Sequence, residues 1–154
     1  MKKLVLLACC LALGLGAHAQ KKGQQAFGVN LSYADDFETA GFGVKYQYNF
    51  TKRVRGEGAF DYFFKHKGLK AWDLNANVHY LFPLDRKFTL YPLAGMTLVH
   101  LSGWGDSNSS FGINLGGGGS YEIDSKWRAN IEMKYQAFDG GGQFVPSIGL
   151  AYKF

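Results

Sequence analysis

The chain of 154 residues is poor in cysteine and proline, with two of the first and three of the second. Cys9 and Cys10 are adjacent and lie at the very start, so the remaining sequence offers no thiol for a disulfide, a metal ion or nucleophilic catalysis. Long apolar runs are missing after residue 20. A helical membrane span needs about 20 consecutive apolar residues, so a helical membrane protein is excluded. Charge of one sign is not in marked excess either. The 17 basic and 12 acidic residues give a formal +5, which falls to +3 once Lys2 and Lys3 are set aside with the N-terminal segment. The basic residues do not cluster, which argues against a nucleic-acid partner. What is abundant is aromatic and small: 13 Phe, 9 Tyr, 3 Trp and 21 Gly. This is the opposite of a disordered composition, and the length allows a single domain.

The first residues read as an export signal. Met1-Lys2-Lys3 is a basic n-region, Leu4 to Gly16 an apolar h-region, and Ala17-His18-Ala19 a small-x-small cleavage site. Cleavage is expected between Ala19 and Gln20, giving a signal peptide over 1–19 and one domain over 20–154. A rival reading takes Leu6-Leu7-Ala8-Cys9 as a lipobox, but only about five apolar residues would precede the cysteine, too few for an h-region.

From Ala26 to Phe154 the dominant pattern is alternation with a period of two, the mark of strands with unlike faces. Phe27, Val29, Leu31 and Tyr33 oppose Gly28, Asn30 and Ser32. Trp72, Leu74, Ala76, Val78 and Tyr80 oppose Asp73, Asn75, Asn77 and His79. Ile131, Met133 and Tyr135 oppose Arg128, Asn130, Glu132, Lys134 and Gln136. Eight such segments can be drawn. Their connections are expected to alternate between short ones (Thr51-Lys52-Arg53, the Pro83 turn, Asp124-Ser125-Lys126) and equal or longer ones, the longest being Leu101 to Ser110. Eight strands joined in this way predict an all-β, antiparallel, up-and-down barrel, with both termini at the end of the short turns.

Size decides which face is wet. The interior of an eight-stranded barrel is just wide enough to be filled by side chains, whereas the apolar set holds more than twenty large residues. The aromatics are therefore expected outside and the small and polar set inside. This disfavours the alternative of a soluble barrel holding a hydrophobic ligand. Phe50, Phe82, Phe88, Tyr121, Trp127, Tyr152 and Phe154 fall at one end of their segments, and Tyr33, Phe42, Tyr62, Trp72, Phe111, Tyr135 and Phe144 at the other, as two interfacial girdles would.

The terminal run Ile148-x-Leu150-x-Tyr152-x-Phe154 resembles the last strand of bacterial outer-membrane barrels, which their assembly machinery reads. With the export signal and eight segments, the chain resembles the small OmpA/OmpX-like outer-membrane β-barrel family. The resemblance implies a monomeric transmembrane barrel in the outer membrane of a Gram-negative bacterium. It also implies contact with outer-membrane lipid, dependence on the barrel-assembly machinery through the last strand, and a non-enzymatic structural or surface role without a cofactor. The expected outer loops are shorter than those of adhesin-like members.

Parity places Lys45, Arg55, Arg128, Lys134 and Lys153 inside the barrel with Glu57, Asp61, Asp73, Glu122 and Glu132, five charges of each sign. Charges in a narrow lumen must be paired or wet, so a salt-bridged plug is expected. A small-solute pore is the alternative, although a selective pore would show one sign of charge. His100 and Ser102 share one face of a strand and resemble the His-x-Ser of outer-membrane lipid A 3-O-deacylases. However, Gly103 stands where that family has Asn, and no orienting Glu lies near Phe111 to Asn114. His79 is expected to be a hydrogen-bonded structural histidine. His66 falls in a cationic loop, Lys65-His66-Lys67. Gly116 to Gly119 lack the motif of a phosphate-binding loop and are expected to permit close packing. Pro92 and Pro146 imply bulges or rim positions.

Overall fold

The computed structural model describes residues 23–154 other than Asp36, Phe37, Lys67 and Asp85, and only the backbone of Lys65 and His66. The expected signal peptide, its Ala19/Gln20 junction, both cysteines and the Lys65 to Lys67 side chains lie outside the described residues. Eight long strands make the fold: β1 (Gln25–Ala34), β2 (Thr39–Asn49), β3 (Val54–His66), β4 (Leu69–Tyr80), β5 (Phe88–Gly103), β6 (Asp106–Glu122), β7 (Trp127–Phe138) and β8 (Gly141–Lys153). Each pairs antiparallel with the next, and β8 returns to β1 from Ala26↔Lys153 to Ser32↔Ser147. The sheet is thereby a closed up-and-down barrel without a free edge. No helix among the described residues is long and apolar enough to cross a membrane; the strands are what cross.

Alternation turns the apolar side chains outward. Phe27 (50% exposed) and Ile131 (63%) lie on the outer surface, whereas Lys45 (3%) and Asp73 (0%) are inside. A soluble barrel with an aromatic interior is thereby overturned. The ring contacts fall into two sets. Tyr48–Phe50, Tyr80–Phe82, Phe88–Tyr121 and Trp127–Tyr152, with centroids 4.9–5.2 Å apart, belong to the strand ends near the termini. Phe42–Tyr62, Phe60–Trp72 and Tyr135–Phe144 belong to the far ends. Two bands of aromatic rings, each containing Tyr and Trp, separated by aliphatic side chains match a bilayer with its two interfaces.

The connections differ from the sequence expectation. The far-end links are tight, with Trp104-Gly105 joining β5 to β6 and Asp139-Gly140 joining β7 to β8, whereas the longest link, Leu81 to Lys87, lies at the end with the termini. The stretch Leu101 to Ser110 is not a loop. It is the tip of a hairpin in which Leu101 pairs with Asn108 and Gly103 with Asp106. Trp104 (φ 58°) and Gly105 (φ 81°) both take the left-handed conformation, which two-residue hairpin turns of the primed type require. His66, expected in a loop, closes β3 by pairing with Leu69.

The prolines are not at bulges. Pro92 keeps its pairing with Gly117 of β6, and the missing donor falls on the other side. There the β4–β5 ladder lapses after His79↔Leu93 and resumes on the same register at Phe82↔Leu90. Pro146 likewise keeps its pairing with Met133, while the β1–β8 ladder stops one residue away at Ser32↔Ser147. Past that gap, the Phe144 N–H donates to Asp35 Oδ1 and the Asp35 N–H donates to the Phe144 carbonyl.

At the terminal end, two turns are fixed by their own side chains. The Arg53 and Val54 N–H groups donate to Thr51 Oγ1 at 3.1 and 3.0 Å. The Lys126 and Trp127 N–H groups donate to Asp124 Oδ1 at 2.7 and 2.8 Å. These two backbone donors, Lys126 first, hold the exposed Asp124 carboxyl below the usual carboxylate range. Since the folded-state value is depressed, the turn is expected to be fully stabilised above the unfolded value of about 3.9 and to weaken as pH falls through the lower folded one. Carboxyl NMR titration of the folded protein checks this, and titration of Asp124 at or above about 3.9 would refute it.

Candidate functional site

The lumen holds every chemically distinctive side chain that parity singled out. Its centre is built around Lys45 of β2, whose ammonium stands 3.2 Å from Glu132 Oε1 on β7 and 3.8 Å from Glu57 Oε2 on β3. One lysine thus bridges two carboxylates from strands on opposite sides of the barrel. Their remaining lone pairs are taken up locally. Gln47 Nε2 donates to Glu57 at 2.7 Å, Asn77 Nδ2 to Glu57 at 3.2 Å, and the Tyr91 hydroxyl to Glu132 at 2.7 Å.

Toward the far end, Lys134 stands 3.9 Å from Asp61. Asn30 donates to Asp61 at 2.5 Å and Asn75 to Asp73 at 2.6 Å. Gln136 donates to Asp73 at 3.0 Å and receives a bond from Gln143 at 2.6 Å. Asn114 of β6 donates to both Asn75 and Asn77 at 2.9 Å and so links this layer to the centre. Toward the termini, Arg128 Nε donates to Glu122 at 2.8 Å while its Nη atoms reach Gln47 and Gln24. Lys153 also pairs with Glu122. An unbroken series of side-chain hydrogen bonds therefore runs along the barrel from Gln24 through Arg128, Gln47, Glu57, Asn77, Asn114, Asn75, Asp73 and Gln136 to Gln143.

Nine of the ten predicted lumen charges belong to these clusters. Arg55 does not: it is buried, its Nε donates to Asn49 Oδ1 at 3.0 Å, and it forms no ion pair with any described residue. Its guanidinium instead lies 5.9 Å from the Tyr91 ring centroid.

Sequence reasoning missed two apolar clusters that pack inside the barrel against this column. Ala34, Phe63, Ala71 and Val145 cluster inside the far end, with Leu101 packed on them, and Leu81, Tyr91 and Leu93 cluster nearer the termini. The signal was present in Tyr62-Phe63-Phe64: three aromatics in succession cannot all face lipid in an alternating strand. The glycines of β6 belong to the same packing. A Cβ on Gly118 would meet the Tyr91 ring at 2.8 Å and Glu132 Cγ at 2.8 Å, so only glycine there lets Tyr91 lie across the lumen and reach Glu132.

His79 is neither alone nor hydrogen-bonded. It stacks on Tyr91 with centroids 4.5 Å apart and an interplanar angle of 9°, and its Nε2 stands 3.6 Å from Glu57 Oε1, an ion-pair separation. Both ring nitrogens are without a hydrogen-bond partner. Glu57, His79 and Glu132 offer ligand atoms all within 4.8 Å of one another, the one group among the described residues that could hold a metal ion. Lys45 already supplies a cation to both carboxylates.

His100 and Ser102 are not brought together. His100 Nδ1 lies 2.7 Å from Ser109 Oγ on the neighbouring strand, and its ring stacks on Trp72 at 5.2 Å. Ser102 pairs across the hairpin with Ser107. Ile148, Leu150 and Tyr152 of β8 face outward, and Phe154, just past its end, is exposed as well.

Solved structures of the same shape are small barrels. The N-terminal β-barrel domain of Pseudomonas aeruginosa OprF matches with a TM-score of 0.76 at 14% identity, over 86% of this chain and 98% of that one. Neisserial surface protein A matches at 0.65 and 17% identity, over 90% and 100%. Ail, the attachment invasion locus protein of Yersinia pestis, matches at 0.59 and 18%, over 86% and 99%. Among curated proteins none matches by sequence. A family model, described as outer membrane protein beta-barrel domain, matches residues 6–154. With its closed eight-stranded barrel, outward aromatic bands and polar lumen, the chain belongs to this outer-membrane β-barrel family and resides in the Gram-negative outer membrane.

Proposed function

We propose that this protein is a non-enzymatic, non-conducting element of the outer membrane, serving envelope structure or surface interaction as a monomer. The observation that carries this reading is the column of hydrogen bonds and ion pairs from Gln24 to Gln143, with one apolar cluster inside the far end and a second, of Leu81, Tyr91 and Leu93, beside its centre. Charges of both signs neutralise each other across the lumen, and the bonds that would have to open for an ion to pass are desolvated ones. A selective conduit would instead present one sign of charge along a wet path.

The lipid A deacylase reading finds no support, because His100 engages Ser109 and Trp72 rather than Ser102 and no carboxylate among the described residues orients its ring. Export through a signal peptide cut between Ala19 and Gln20, and delivery to the barrel-assembly machinery through Ile148, Leu150, Tyr152 and Phe154, belong to the same proposal. Planar-bilayer recording of the purified protein, with folding verified by heat-modifiable gel mobility, tests it. The expected result is a membrane with little current and no steady channel steps. Large, stable single-channel currents would overturn the plug.

A further inference from the structure

The five-against-five balance of lumen charges conceals a strong segregation along the barrel axis. At the mouth that carries both termini, a cavity of about 760 Å³ is lined by seven basic side chains and two acidic ones among the described residues. Both acids are already committed: Glu122 pairs with Arg128 and Lys153, and the Asp124 carboxylate accepts the Lys126 and Trp127 N–H groups. The two acids leave a net positive charge among the described lining residues.

Its floor is made of buried cations from three strands. Arg128 (3% exposed) spends Nε and both Nη atoms on Glu122, Gln47 and Gln24. Lys153 is bonded to Glu122 and to the Asp124 carbonyl. Arg55 (3% exposed) differs from both. Only its Nε is used, toward Asn49, and the fork of Nη donors has no partner among the described residues while the side chain lines the cavity. A buried guanidinium without a carboxylate is costly, and the Tyr91 ring beneath it at 5.9 Å offsets little of that. Around the rim, Lys52, Arg53 and Arg86 are exposed and line the same space.

We propose that this mouth is an anion-binding vestibule, with Arg55 as its principal donor, that takes a multiply charged phosphate group. A planar guanidinium matches two oxygens of one phosphate at once, and a concave site of one sign with low-dielectric walls raises the local concentration of counter-charge. The charge excess favours a ligand with more than one negative charge, and the exposed rim cations come from two adjoining turns, after β2 and after β4, that touch through the Leu81 N–H and the Arg53 carbonyl. This inference does not depend on the lumen's being closed further in, so it stands or falls separately from the plug.

The test is calorimetric titration of pyrophosphate into the full chain in zwitterionic detergent at low ionic strength, with citrate as a carboxylate control. Saturable one-to-one binding that weakens with salt is expected. Arg55→Gln is expected to weaken it by about tenfold, whereas Lys126→Gln, in a turn outside the cavity, is expected to leave it unchanged. Heat-modifiable mobility shows whether each variant is folded. If Arg55→Gln does not fold, Arg86→Gln on the exposed rim replaces it, with about threefold weakening expected. Absence of pyrophosphate binding, undiminished binding to Arg55→Gln (or to Arg86→Gln where that replaces it), or citrate binding as tight as pyrophosphate would each overturn the proposal. Titration in nanodiscs with and without phosphatidic acid separates the sources: competition assigns the site to a lipid headgroup, and its absence assigns it to a soluble phosphate.

Discussion

Replacing Lys45 with methionine is expected to destabilise the barrel by about 3–5 kcal/mol, the larger part of the stability of an ordinary domain. The methylene chain keeps nearly its volume, so packing changes little. What is lost is the one cation shared by Glu57 and Glu132, at 3.8 and 3.2 Å. Both carboxylates are then left buried, with only the neutral donors Gln47, Asn77, Tyr91 and Asn130, and with His79 at 3.6 Å from Glu57. Amide and hydroxyl donors stabilise a carboxylate but do not neutralise it. Adding Glu132→Gln to Lys45→Met is expected to recover much of the loss, because the second change removes one of the two orphaned charges. Urea unfolding in lipid vesicles, followed by gel mobility, measures all four corners of this double-mutant cycle. If the two losses simply add, Lys45 and Glu132 do not interact energetically and the centre of the column is misread.

Much of this arrangement is legible in the sequence, for a definite reason. In a strand, side chains alternate strictly, so one register fixes the face of every residue, and the ten lumen charges follow from parity alone. What parity does not carry is position along the axis or contact across the barrel. Lys45 meets Glu132 from 87 residues away, and nothing local marks that pairing. Arg55 and Glu57 are two residues apart on the same face, yet one faces a cationic vestibule and the other is an ion-paired centre. The far hairpin misled for another reason. Leu101 to Ser110 has the composition of a loop, but its polar residues pair across a two-residue turn whose left-handed Trp104 carries no sequence signature. Val145 is invisible to a binary pattern because a lone apolar residue on the polar face registers only as noise until its partners are known, whereas Phe63 is betrayed by the aromatics on either side of it.

Phe63 is the residue through which the apolar cap and the polar column can be separated. It is 1% exposed, against Ala34, Ala71 and Val145 inside the far end. Truncation to alanine leaves a cavity walled by β1, β3, β4 and β8, where the β2–β3 ladder holds Phe63 from one side and the Asp35–Phe144 bonds close the gap in the β1–β8 ladder, so little collapse is possible. The expected cost is about 3–5 kcal/mol, read as an earlier urea midpoint with unchanged fold. The conductance of Phe63→Ala is expected to stay near that of the parent protein. Beneath the cap, Asp61 and Asp73 remain held by Asn30, Asn75, Gln136 and Lys134, and an ion entering past the missing ring still meets a hydrogen-bonded layer it cannot displace without paired charges separating. Steady current through Phe63→Ala, absent in the parent, would mean that the ring and not the ion-pair column closes the barrel. The lumen charges would then serve stability, and the barrier to solute would be a single apolar constriction.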